Sequence, residues 1–76
     1  MPSSMYLRLT MAAGDYVDKA TVEGAIQRQF LAGTTPDSFS ATDLKALNLR
    51  ITTALKLYVS DTGKRAEMIA KIQALC

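Results

Sequence analysis

Apolar and polar positions keep two different rhythms along this chain. From Met5 to Met11 apolar residues fall at 5, 7, 9 and 11, with Arg8 and Thr10 between them, which is the period of a half-buried strand. The same stretch also reads as helix, because Ser3 and Ser4 are good N-cap residues and Gly14 is a plausible stop. A lone strand in an otherwise helical chain would find no partner within one protomer. The favoured reading is a short helix, and the strand form would need two copies to pair across a dimer.

The remaining segments follow a three-four spacing. Between about Tyr16 and Ala32, Val22, Ala25, Ile26 and Phe30 predict an amphipathic helix, with Asp15 or Asp18 as N-cap and Gly33 to end it. Gly24 in its interior costs about 1 kcal/mol relative to Ala and marks a weak point or a close helix contact. Thr34-Thr35-Pro36-Asp37-Ser38 then has the chemistry of a turn. A third helix begins with two concordant signals. Ser40 as N-cap has Asp43 at N3, and Phe39 before the cap can pack on Leu44 as a hydrophobic staple. Leu44, Leu47, Ile51, Ala54 and Tyr58 carry its core stripe, while Leu49 and Leu57 add a second one. A helix apolar on more than one side is either central to the fold or contributes to a protein interface. Ser60-Asp61-Thr62-Gly63 is a turn in which Asp61 or Thr62 can cap a last helix, from about Gly63 to Leu75. Its core stripe is Met68, Ile69, Ile72 and Leu75, with Glu67 and Lys71 in the favourable order for an ion pair.

Together these elements predict one all-α domain, residues 1–76, a small bundle of three or four helices. A chain of 76 residues is enough for one core and too short for two. Hydrophobic residues make up 49% and charged residues 21%, the balance of a folded globule rather than a disordered chain. Apolar runs of about three residues are far below the roughly 20 a membrane-spanning helix needs, and no signal peptide is evident. The expected setting is therefore intracellular, with no membrane partner.

Catalysis has little to work with. The chain has no histidine and a single cysteine, Cys76, at its last position. Usual zinc ligand sets and an internal disulfide are thus excluded, and no metal or other cofactor is expected. Motifs for nucleophilic or phosphate-loop chemistry are also missing. The chain reads as non-enzymatic.

Charge is uneven: residues 41–76 carry six Lys and Arg against three Asp and Glu, whereas residues 1–40 carry three against four. The basic residues of the second half include a local pattern. Spaced leucines lead through Val59-Ser60-Asp61-Thr62 to Gly63, Lys64, Arg65, then Ala66-Glu67-Met68-Ile69, Lys71 and Ile72. This stretch, residues 44–75, resembles the SAP motif, a helix-loop-helix whose second helix has the form Ala-Glu-Leu-Ile-x-Arg-Ile. It departs from that pattern before the loop, where Tyr58-Val59 replaces the usual glycine-leucine pair. The resemblance implies binding to duplex DNA in chromosomal organisation, repair or RNA processing, and a nuclear location.

A physical route to such binding exists on these residues. Glycine at a helix start lets a phosphate approach free backbone amides at the positive end of the helix dipole. Lys64 and Arg65 would add charge, Ser60 and Thr62 hydrogen bonds, and Lys56 and Lys71 would extend a footprint on the phosphate backbone. The bland counterpart is a capped turn with a solvated basic face. A rival reading from a different class is a helical protein-interaction or oligomerisation module that docks a partner through Leu49 and Leu57.

Overall fold

The computed structural model describes residues 1–76 and contains four α-helices and no strand: α1 (Ser4–Gly14), α2 (Lys19–Arg28), α3 (Ala41–Lys56) and α4 (Thr62–Gln73). A side chain caps each of them. Ser3 accepts from the Tyr6 amide, Asp18 from Thr21, Ser40 from Asp43 and Asp61 from Lys64. At α3 the capping box is complete, with Asp43 Oδ2 accepting from the Ser40 amide at 2.9 Å. Phe39 and Leu44, the two halves of the predicted staple, are both buried.

The N-terminal segment is helical, and its buried residues are Tyr6, Leu9, Thr10 and Ala13. Those positions repeat at three and four, so the alternation at 5, 7, 9 and 11 does not describe its inner face. Leu7 and Met11 lie exposed. The hydroxyl of Tyr6 accepts a hydrogen bond from Gln27 Nε2 at 2.9 Å, and its ring meets Phe30 and Phe39 edge-on.

α2 is shorter than its apolar spacing predicts at both ends. Asp18 caps it, so Tyr16 and Val17 precede the helix, and its last turn tightens at Gln29. Phe30 then leaves the helix to stack against Phe39, ring centroids 5.4 Å apart. Gly33 ends no helix. It sits at φ 89° in a separate turn closed by the Thr34 amide on the Leu31 carbonyl, a conformation glycine adopts without the penalty a side chain would carry.

Each helix packs on its chain neighbours, α1 also closes against α4, and α1 and α3 touch across the middle, while α2 and α4 do not meet. The clefts between α2 and α3 and between α1 and α4 therefore lie on opposite sides of the bundle. Leu44, Leu47, Ile51 and Leu55 line the inner side of α3. Ala54 is only half-buried and Tyr58 is exposed, so the stripe passes through Leu55 and ends at the buried Val59. Met68 and Ile72 are the buried residues of α4, with Ile69 and Leu75 at its margin. No helix is long and apolar enough to cross a membrane.

Candidate interaction surfaces

Two places on the α3–α4 hairpin carry the residues that sequence singled out, and they differ in what the chain itself has done with them. The first is the start of α4. Its N-cap, Asp61, turns its carboxylate onto the Lys64 amide at 2.9 Å. A Cβ placed on Gly63 would lie 3.3 Å from Asp61 Oδ1, so the space that glycine opens is shared with this carboxylate. The negative charge that a helix N-terminus favours is already supplied from within the chain. The Thr62 and Gly63 amides remain without a protein acceptor.

Arg65 does not stand beside Lys64 as a free cation. Its Nε and Nη2 both donate to the Val59 carbonyl oxygen, at 3.0 and 2.8 Å. This double hydrogen bond fixes the loop between α3 and α4 to the first turn of α4. It satisfies a loop carbonyl, two residues past the C-cap of α3, to which no backbone amide donates. Lys64, Ser60 and Thr62 are exposed around the same loop, and Lys56, the last residue of α3, is half-buried nearby in sequence. Neither Lys56 nor Lys64 makes an ion pair.

Lys71 belongs to another neighbourhood. It lies two turns, about 10 Å, beyond Lys64 along the helix axis, and its ammonium donates to Asp15 Oδ2 at 3.3 Å. The same ammonium sits 5.0 Å from the centroid of the Tyr16 ring. Interaction with Tyr16, followed by the hydrogen bond to Asp15, raises its pKa above the ordinary lysine value. The expected Glu67–Lys71 ion pair does not form. Glu67 instead accepts a long hydrogen bond from the Tyr16 hydroxyl. Of the seven residues predicted to contact nucleic acid, the fold thus gathers Ser60, Thr62, Gly63 and Lys64 around one loop, leaves Lys56 half-buried at the end of α3, commits Arg65 to the backbone, and places Lys71 against the end of α1.

The second place is the outer face of α3. Leu49 is 76% exposed and Leu57 79%, on the side opposite the core stripe. With Arg50, Thr53, Ala54 and Gln29 from the end of α2 they line an open groove. At about 100° of rotation per residue, Ala46, Leu49, Thr53 and Leu57 cover an arc of roughly 80° along about three turns of helix. Lys45 and Lys56 border that arc on one side and Arg50 on the other. The polar members, Arg50, Thr53 and Gln29, were not anticipated from sequence. Helical spacing places Arg50 and Thr53 beside the two leucines, but Gln29 arrives only through the packing of α2 on α3.

A second apolar surface lies between α1 and α4, where Met11, Ala12 and Leu75 meet Arg8, Asp15 and Lys71. Nowhere do three or more His, Cys, Asp or Glu side chains converge in a way that could hold a metal ion. Cys76 is exposed. No protein-family model, curated protein or solved structure gives a significant match to this chain.

Proposed function

We propose that this domain is a helical protein-interaction module that receives a partner helix on the outer face of α3. The observation that carries this reading is the pair Leu49 and Leu57, two of the most exposed large aliphatic side chains of the molecule, lining one groove two helical turns long. Leucines held out of a core that is otherwise closed leave apolar area in water, and covering it is favourable by about 25 cal/mol per Å². An open groove with two leucine anchors two turns apart suits an amphipathic helix presenting residues at three-four spacing. No catalytic step is assigned, since no group in the groove is a general acid or base with an adjacent nucleophile.

The test is selection of helical peptides from an unbiased display library on the intact chain, followed by counter-selection on the double variant Leu49→Asp, Leu57→Asp. Binders that the variant loses support the reading. A selection in which wild type and variant retain the same peptides, or none, ends it. Both substitutions fall on exposed positions, so the variant should keep its melting temperature.

A second reading keeps the SAP-like resemblance and assigns the α3–α4 loop to duplex DNA. It is supported by the unpaired Thr62 and Gly63 amides beside an unpaired Lys64. Against it stand the Asp61 carboxylate at the same helix start and the engagement of Arg65 with Val59. It predicts salt-sensitive binding to a duplex, with the slope of log affinity against log salt falling by about one unit in Lys64→Ala. Absence of duplex binding at about 50 mM salt rules it out. A nuclear location follows only if this second reading holds.

A further inference from the structure

We infer that the occupant of the α3 groove is an acidic amphipathic helix from another protein, with carboxylates beside its apolar stripe. This inference rests on the docking reading above and specifies the partner. From Leu44 to Ser60 the chain has no acidic residue and three cations, Lys45, Arg50 and Lys56. The one carboxylate elsewhere on α3, Asp43, is spent in the capping box on the Ser40 amide and hydroxyl. The only two ion pairs of the molecule are Met1–Asp37 and Lys71–Asp15, so all three cations are unpaired. They also gather on the apolar face rather than scatter around the helix, with Lys45 and Lys56 along one edge and Arg50 inside the groove lining between Leu57 and Ala54. An apolar floor edged by unpaired positive charge favours a partner of opposite charge and penalises one of like charge.

The same charges argue against a second copy of this chain. A two-fold contact through this face would bring Lys45, Arg50 and Lys56 against their own counterparts. A head-to-tail contact with the α1–α4 surface finds Asp15, but that carboxylate is already engaged by Lys71. An anionic bilayer would meet the charges, but two exposed leucines offer little apolar area to insert into it.

Three synthetic peptides of about 16 residues test the inference, that length being near four turns. All carry the same leucine stripe at three-four spacing, and the flanking positions are Glu, Gln or Lys. Fluorescence anisotropy against the intact chain should rank them Glu, Gln, Lys, with about tenfold or more separating the first from the last. The Glu peptide should weaken as salt rises, and a Lys45→Glu, Arg50→Glu, Lys56→Glu variant should invert the ranking. If all three peptides bind alike and Leu49→Asp with Leu57→Asp abolishes them, the charge inference is overturned while the docking reading stands. If none binds, both fall. Vesicles with about a third anionic lipid complete the comparison. Binding to them that exceeds the Glu peptide and vanishes in the leucine variant overturns the choice of partner, and its absence supports it.

Discussion

The loop at the start of α4 and the outer face of α3 carry similar residues to opposite ends. Both present cations, and both were visible in the sequence as places where a partner could bind. At the loop the chain answers part of its own charge and donors: Asp61 takes the Lys64 amide and Arg65 the Val59 carbonyl, while the Lys64 ammonium and the Thr62 and Gly63 amides stay unpaired. On α3 no other part of the chain covers Leu49 or Leu57, and Lys45, Arg50 and Lys56 form no ion pair. Residue type alone therefore says little about binding. What distinguishes a recognition surface from a structural corner is whether its polar groups and apolar area have already found partners at home.

The sharpest contrast lies within α3 itself. Leu55 is fully buried and Leu57, two residues on, is 79% exposed. Leu55→Ala should cost about 2–5 kcal/mol of stability, since it leaves a cavity in the core, whereas Leu57→Ala should stay within about 0.5 kcal/mol. Urea denaturation of the two variants measures both, and equal losses would mean that the outer leucine is packed. Next in size is Arg65→Ala. Removing both donors from the Val59 carbonyl should cost about 1–3 kcal/mol, while Lys64→Ala leaves stability unchanged. If Arg65→Ala is silent in the same experiment, the guanidinium is free and the loop regains its claim as an anion site.

Asp61→Ala should lose about 1 kcal/mol through the missing helix cap, and it removes the carboxylate from the amides beside Gly63. Should the variant then bind a DNA duplex that wild type ignores, Asp61 is the group that keeps phosphate away. The smallest effect concerns Lys71, whose folded-state pKa is raised. Because the folded protein holds this proton more tightly, the associated stability is present at neutral pH. It disappears as pH climbs through the folded-state pKa, above the ordinary value of about 10.4. A Lys71→Met variant should show a flatter melting-temperature profile on the alkaline side. Both groups are solvent-exposed, which keeps the difference small.

How much of this was legible beforehand depends on which interactions are local. The all-α class, the Ser40–Asp43 box and the Phe39–Leu44 staple follow from residues within a few positions of each other, and sequence spacing is enough to find them. The inner face of α1 was less accessible, because Tyr6 and Thr10 become buried only through tertiary packing, Tyr6 against Gln27, Phe30 and Phe39, and a simple apolar count selects Met5, Leu7 and Met11 instead. α2 stops early for a similar reason: Phe30 gains a stacked contact with Phe39 from a segment nine residues away in sequence. In α3 the leucine-rich stretch offered two stripes, and which one faces inward was decided by helices that local periodicity does not see. The fate of Arg65 was hidden as well, since its acceptor is a backbone carbonyl that looks the same whatever residue carries it.

The account turns on which of two surfaces accepts a ligand, and amide chemical-shift mapping reads both at once. Titration of labelled protein with the Glu-flanked peptide should move Leu49, Arg50, Thr53 and Leu57 and leave Gly63 to Arg65 in place, with a DNA duplex moving neither set. Shifts confined to Thr62, Gly63, Lys64 and Arg65 on adding duplex, with the α3 residues still under peptide, would contradict it.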